Sequence, residues 1–351
     1  MGQNISKQVD ISAEMDNWSI SIRLDKREAA TSIYERLKRF MNDYTTETLI
    51  NFLLLESRFY LMHKDTVNGA NSIDKAKAYL PHFNDTHRHY FHLAEGILFY
   101  NETHYPEALN CFEKAEKYLS HLDDPVEIGE FHLRQAMTYF NLDITTLSVL
   151  HAERAIEALK PYKTFEFLLA HAEMLQGLNY VDLRNFERAE EYLHSALTTF
   201  KRVGNNNFIA STNLNLGVLY VKSDLPAAAI RYLEEALKHN QARIRLKILY
   251  LLADCYWKTD QTSKALETYT NGFNESIEKD DLAKKWEFAM LHKKYVDRIN
   301  FESVWQEGIE YFRRINDFYN VKRFSTELAE YYTEHSQYEL ATKYYSMALL
   351  Q

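Results

Sequence analysis

Residues His171–Leu237 read HAEMLQGLNYVDLRNFERAEEYLHSALTTFKRVGNNNFIASTNLNLGVLYVKSDLPAAAIRYLEEAL, and they state a repeat. Gly177, Tyr180, Ala189 and Ala196 recur 40 residues on as Gly217, Tyr220, Ala229 and Ala236. A small residue is followed by an aromatic 3 later, an alanine 12 later and a second small residue 19 later. That is the register of a helix–turn–helix repeat: small residues mark the close approach of two antiparallel helices, and the aromatic fills the space beside them.

The same spacing picks out Gly96, Phe99, Ala108 and Ala115 upstream, then Ala136, Tyr139, Ser148 and Ala155. Downstream it picks out Ala253, Tyr256, Ala265 and Gly272, and finally Ala329, Tyr332, Ala341 and Ala348. The 76 positions between Ala253 and Ala329 leave room for one degenerate unit around Glu287–Phe312. The expected fold is all-α: an N-terminal three-helix bundle (1–62), a linker (63–75) and a tetratricopeptide-repeat superhelix (76–351). The superhelix holds about seven repeats, the sixth degenerate.

Composition agrees. In 351 residues there are only 9 Gly and 5 Pro, against 25 Tyr and 20 Phe, which suits long helices joined by short turns. A net charge of −9 argues against non-specific nucleic-acid binding, which needs a basic footprint. Cys111 and Cys255 stand far apart inside repeat helices and read as buried, reduced thiols. The richest apolar run, Phe52–Leu55, is too short to span a bilayer, so a soluble, cytoplasmic protein is expected. The first residues, Met1-Gly2-Gln3-Asn4-Ile5-Ser6, match the myristoylation consensus, a short pattern of low specificity.

Ahead of the repeats, Asp16-Asn17-Trp18 opens one amphipathic stretch and Lys26–Met41 forms a second, with Ala29, Ile33, Leu37 and Phe40 inward. Thr45 or Thr46 caps a third helix reaching Met62, with Leu49, Phe52, Leu53 and Leu55 inward. The run from His63 to Ser72 holds the only glycine between Gly2 and Gly96 and reads as a mobile connector.

With the packed positions fixed, the other face of each first helix can be read off. It carries Leu133, Met137, Phe140 and Asn141, then Leu178, Val181 and Asp182. Leu214, Asn215, Val218 and Lys222 follow, then Tyr250, Asp254 and Trp257. Apolar side chains mixed with isolated amides and carboxylates suit an extended peptide: amides hold its backbone and carboxylates its basic side chains.

The chemical motifs are sparse. There is no glycine-rich phosphate loop, no His-Glu-x-x-His and no Cys-x-x-Cys, and no cofactor is expected. His82, His87, His89 and His92 cluster without a completing ligand set and read as solvated or turn-capping histidines rather than a metal site. Glu278-Lys279-Asp280-Asp281 reads as a solvated turn.

The order of several motifs resembles the Rap family of Gram-positive bacteria. The carriers are Asn17-Trp18, Leu54-Leu55-Glu56-Ser57-Arg58-Phe59, Ala115-Glu116-Lys117-Tyr118-Leu119, Glu130-Phe131, Tyr139-Phe140 and Asn215-Leu216-Gly217. The resemblance implies a helical bundle that binds a response regulator through its receiver or DNA-binding domain. It also implies a short, secreted and re-imported signalling peptide that binds the repeats and ends partner binding. Some family members hydrolyse the receiver-domain aspartyl phosphate; others act by binding alone. Carried over residue by residue, the acidic partner of the peptide's basic side chain falls on Asp182, the backbone-clamping amide on Asn215, and a further groove carboxylate on Glu287. Asn141, Phe140, Val218 and Trp257 complete the peptide face, and Thr46, Glu47 and Ile50 the partner face. The family's Lys-Gln-Thr-Tyr run is replaced by Asp143-Ile144-Thr145-Thr146.

The departure that matters for chemistry is a missing glutamine. Phosphatase members carry one shortly after a Met-Glu-Glu-Asp/Asn run, to position water. Here the run is Met41-Asn42-Asp43-Tyr44-Thr45-Thr46, and no glutamine occurs between Gln8 and Gln135. No catalytic residue is therefore assigned. The expectation is inhibition of a response regulator by binding, with aspartyl-phosphate hydrolysis through Asn42, Glu47 or Asn51 as the alternative. A plain repeat scaffold that ignores peptides is the third reading.

Overall fold

The computed structural model of the chain describes residues 10–239 and 242–349; the N-terminal acylation motif lies outside them. Eighteen α-helices and no strand occur among the described residues. The chain divides into two compact units between Asn205 and Asn206. The first holds α1 (Ile11–Arg23), α2 (Arg27–Lys38), α3 (Thr46–Met62), α4 (Thr66–Lys77) and α5 (Asp85–Asn101). It continues with α6 (Tyr105–Glu116), α7 (Pro125–Asn141), α8 (Thr145–Leu159), α9 (Glu166–Asp182) and α10 (Phe186–Val203). The second holds α11 (Asn206–Lys222), α12 (Pro226–Lys238), α13 (Ala242–Lys258) and α14 (Thr262–Glu278). It ends with α15 (Leu282–Tyr295), α16 (Phe301–Arg314), α17 (Phe318–Glu334) and α18 (Tyr338–Leu349).

The small residues do what the spacing requires. A Cβ on Gly96 would stand 2.4 Å from the Phe112 ring, and one on Gly217 2.5 Å from Leu233. The alanines at the later positions, Ala108, Ala189, Ala229 and Ala265, are fully buried. A turn device also repeats. Seven residues after each small position the backbone is left-handed, at Thr103 (φ 64°), Asp143 (56°), Arg184 (57°), Asp224 (56°), Asp260 (58°) and Ser336 (59°). The next N–H closes onto the carbonyl of the aromatic, Asn185 onto Tyr180 at 2.9 Å and Leu225 onto Tyr220 at 2.8 Å. This is a Schellman closure: it satisfies the end of the first helix and reverses the chain into the second.

The structure corrects the expected boundary. Residues 63–75 are not a mobile connector; most of them form α4. Asp65 caps it by accepting from the Asn68 N–H, and Gly69, Ser72, Ile73 and Ala76 are buried. Gly69 lies where a Cβ would meet Leu61 at 2.6 Å. Ser57, Tyr60, Gly69 and Ala76 thus keep the 0, 3, 12, 19 spacing, with Lys64 left-handed at φ 60° in the turn. Hence α3 and α4 are themselves a repeat, rather than a bundle helix and a tether.

The degenerate unit becomes explicit in the same way. Ala289, His292, Phe301 and Gly308 hold the spacing on α15 and α16, and the left-handed residue has moved to Asn300 at φ 57°. The inward face of α2 is shifted by one residue. Ala30, Ile33, Tyr34 and Leu37 are buried, whereas Ala29 and Phe40 are exposed, because Tyr34 takes the central place on Trp18 and Phe59. Thr45 is the cap of α3, accepting from the Thr48 N–H at 3.2 Å. No helix among the described residues is long and apolar enough to cross a membrane.

Candidate functional site

The expected partner face begins at the first turn of α3. Thr46 and Glu47 are exposed there, as a contact surface requires. Ile50 is not: it is 1% exposed within the aromatic and aliphatic core of the first unit, so its expected role as a partner contact is corrected to a packing role. Asn42 is exposed in a single 3-10 turn (Met41–Asp43). The Asn51 side-chain oxygen is engaged by the His87 Nε2 at 3.0 Å, and His87 completes a capping box with Asn84. His89, expected to be solvated or turn-capping, is buried instead and bonds the Ala115 carbonyl at 3.0 Å. No group of metal-ligating side chains forms among the described residues. A cavity of about 230 Å3 opens between α1, α3 and α5, with Asp16, Asn51, Arg58 and Tyr90 on its walls.

Behind this face lies a feature that sequence reading missed. Arg23 on α1 and Arg58 on α3 both reach Glu127 on α7, at 2.5 and 2.9 Å. Arg23 also holds Asp124 at 2.6 Å, Arg58 holds Glu130 at 2.5 Å, and Arg134 approaches Glu130 at 3.4 Å. Three guanidinium groups balance three carboxylates, and Glu127 and Glu130 are sealed from solvent. Burial alone would discharge such groups. For Glu130, burial pushes the carboxyl up, but Arg58 and then Arg134 outweigh it and hold it at about 2. For Arg58, burial works against the charge, and Glu127 and Glu130 reverse that and raise its pKa. A charged residue at a buried helix phase, such as Arg58 between Ser57 and Phe59, was the available signal.

On the expected peptide face of the first unit, Asn141 is exposed at the end of α7 and donates to Tyr100 Oη at 3.1 Å and to the Met137 carbonyl at 2.7 Å. Phe140 beside it is half-buried, and Asp182 is exposed at the last position of α9. In the second unit Asn215 and Val218 lie half-buried on α11. The Asn215 amide has no hydrogen-bond partner among the described residues, although a half-buried amide ordinarily finds one.

Trp257 and Glu287 are placed differently from expectation. Trp257 is buried, stacked on Tyr295 at 5.0 Å between ring centres, and Glu287 is buried in an ion pair with Lys284 at 2.6 Å. Neither offers a free surface. Beside them Asp254 accepts from Tyr295 Oη at 2.8 Å and pairs with Lys258 at 3.1 Å. The thiols of Cys111 and Cys255 are free and buried, and burial first of all pushes them up to about 11 and about 12.

Paired antiparallel helices held by recurring small residues define a tetratricopeptide-repeat protein. The tetratricopeptide-repeat family pattern matches residues 168–242. Over 266 residues the chain is 27% identical to the regulatory protein RapG of Bacillus subtilis, covering 74% of this chain and 72% of that one. It is 26% identical to response regulator aspartate phosphatase A of the same organism, covering 73% and 68%. The structure of a Rap protein complexed with competence and sporulation factor superposes with a TM-score of 0.79 at 19% identity, covering 97% of this chain and 96% of that one. The chain is similar to Rap proteins over about three quarters of its length and shares their all-helical fold.

Proposed function

We propose that this protein binds and inhibits a bacterial response regulator through its N-terminal helices, under the control of a short signalling peptide held on the first-helix face of the repeats. The observation that carries the peptide reading is the half-buried, unpartnered amide of Asn215, which offers one donor and one acceptor to a peptide backbone. Asp182, exposed at the end of α9, is the proposed partner of a basic side chain, with Asn141 and Phe140 beside it. Val218, Trp257 and Glu287 are the further residues proposed for the face that carries Asn215, the last two from buried positions. The peptide-bound Rap relative supports this reading by likeness of fold.

Exposed Thr46 and Glu47 are the proposed partner contacts. Inhibition by binding is favoured over hydrolysis because no glutamine lies between Gln8 and Gln135, and the amide of Asn51 is already taken by His87. Hydrolysis demands close placement of a water-orienting group. The likeness to a named aspartate phosphatase keeps hydrolysis as the second reading. The test is to immobilise full-length response regulators and measure binding of the wild type, then of Glu47→Arg. Binding that the substitution abolishes supports the proposal; no binding to any regulator of the host contradicts it.

A further inference from the structure

The two N-terminal helices also keep the repeat spacing. Trp18, Ser21, Ala30 and Leu37 follow the 0, 3, 12, 19 pattern, Asp25 is left-handed at φ 53°, and the Lys26 N–H closes onto the Ser21 carbonyl at 3.0 Å. Trp18 on α1, Ser57 on α3 and Gly96 on α5 are therefore equivalent. This orders the cavity of about 230 Å3 between those helices. Each helix lines it with the residues six, three and two places before the equivalent position and one place after it.

The offset of six groups Ser12, Asn51 and Tyr90, and the offset of three groups Met15, Leu54 and Leu93, all buried. The recess thus has a polar end and an apolar body. Its polar end is largely unspent. His87 Nδ1 accepts from the Asn84 N–H at 3.3 Å, so its proton lies on Nε2 and is donated to Asn51 Oδ1 at 3.0 Å. The Asn51 oxygen is taken, but its Nδ2 hydrogens are left over. Neither Ser12 nor Tyr90 makes a hydrogen bond through its hydroxyl among the described residues. Of the two charged residues on the described lining, Arg58 is committed to Glu127 and Glu130, while the exposed Asp16 has no ion pair. An anion entering here would meet a carboxylate and no free cation.

We propose that this recess binds a small uncharged amphiphile, an alkyl or aryl group bearing a carboxamide. The carboxamide oxygen accepts from Asn51 Nδ2 and Tyr90 Oη, its N–H donates to Ser12 Oγ, and the hydrocarbon part covers Met15, Leu54 and Leu93. A cavity of about 150 Å3 holds benzene, so this one admits about eight to ten non-hydrogen atoms. Asn51 follows Glu47 by one turn of α3, so the ligand would lie beside the proposed partner face.

The test uses the full-length protein and three probes of similar shape: benzamide, benzoate and benzylammonium. Their binding is titrated by saturation-transfer NMR. Benzamide should bind with a Kd of about 1 mM, the scale of so small a ligand, and at least about tenfold tighter than either ion. Tyr90→Phe should weaken it by about three- to tenfold, the worth of one hydrogen bond, with an unchanged melting temperature because the hydroxyl has no partner to lose. Asp16→Asn should raise the affinity for benzoate by about threefold or more. Ala94→Leu, at a buried lining position, fills the recess and should abolish benzamide binding. A preference for benzoate, or equal binding of all three, overturns the proposal by denying the polar end its selectivity. A preference for benzylammonium overturns it too, by assigning the site to cations through Asp16. No saturation by any probe overturns it outright. Benzamide binding undiminished by Tyr90→Phe places the probe elsewhere and overturns it, and that variant decides alone if Ala94→Leu lowers the melting temperature.

Discussion

Arg58 on α3 and Glu127 on α7 stand 69 positions apart in sequence and meet at 2.9 Å with both side chains buried. With Arg23, Asp124, Glu130 and Arg134 they tie α1 and α3, the helices behind the proposed partner face, to α7. The geometry of that face therefore depends on a charge network and not only on apolar packing. Such a network is unforgiving of partial removal, because the surviving charge stays buried.

Glu127→Gln keeps the volume and removes the charge that two guanidinium groups share. The expected cost is about 3–5 kcal/mol, the range for breaking a buried pair. Urea unfolding should show a lower midpoint with an unchanged slope. Adding Arg58→Met should cost less than the sum of the single changes, by about 1–3 kcal/mol; strict additivity would mean that the two residues do not act as a pair.

The repeat turns make a prediction of opposite sign. Thr103 holds φ at 64°, a conformation that a β-branched residue adopts at a penalty of about 1–2 kcal/mol. Thr103→Gly should raise the melting temperature in spite of the added chain entropy. Gly217→Ala should lower it by the equivalent of about 1–3 kcal/mol, since the new methyl would sit 2.5 Å from Leu233. Differential scanning calorimetry on the two variants checks both signs.

Acid sensitivity has a defined source. His151 is packed on Tyr139 at 5.3 Å with its Nδ1 3.2 Å from that of His132, and burial, then His132, lowers it to about 4. Burial, then Arg134, lowers His171 to about 4 as well. A histidine held neutral in the folded state contributes stability that is full above its unfolded pKa of about 6.5 and is lost as pH falls towards its folded value. Stability should therefore decline between pH 6.5 and about 4. His151→Phe should flatten part of that decline, which denaturant titrations at a series of pH values would measure.

The proposed partner face separates two neighbouring residues of α3. Glu47→Arg, at an exposed position, should leave unfolding within about 0.5 kcal/mol of the wild type while weakening response-regulator binding. Ile50→Ala should cost about 2–4 kcal/mol of stability, because Ile50 is core. Surface plasmon resonance beside a melting curve distinguishes the two; a stable Ile50→Ala that has lost binding would restore the contact role this structure denies it.

The repeats were legible because their geometry imposes a fixed spacing on small and aromatic residues, and Gly177 and Gly217 announce it 40 residues apart. The unit Ser57–Tyr60–Gly69–Ala76 obeys the same spacing but was hidden by composition. Asn68, Gly69, Asn71 and Ser72 look like a loop, while in the structure Gly69 and Ser72 are the buried contacts of a helix. Serine replaces glycine at the first position, and only packing shows that the two serve alike. The site was legible in part. Asp182 and Asn215 sit at exposed or half-buried positions of first helices, where periodicity put them. Ile50, Trp257 and Glu287 could not be separated from surface by periodicity alone, since α3, α13 and α15 are covered on more than one side. The Arg23–Arg58–Glu127–Glu130 network joins helices over 100 residues apart in sequence, as in Arg23 and Glu127, and no local pattern reports such a pairing.

The central claim is antagonism without chemistry, and decay of the aspartyl phosphate tests it most directly. Phosphorylated receiver domains of the host would be followed with and without this protein, with binding of the full-length regulators measured in the same samples. The account predicts binding of at least one regulator and a phosphate lifetime that the protein does not shorten. Loss of phosphate accelerated at sub-stoichiometric protein would contradict it, and would turn attention to Asn42 and Glu47 at the start of α3.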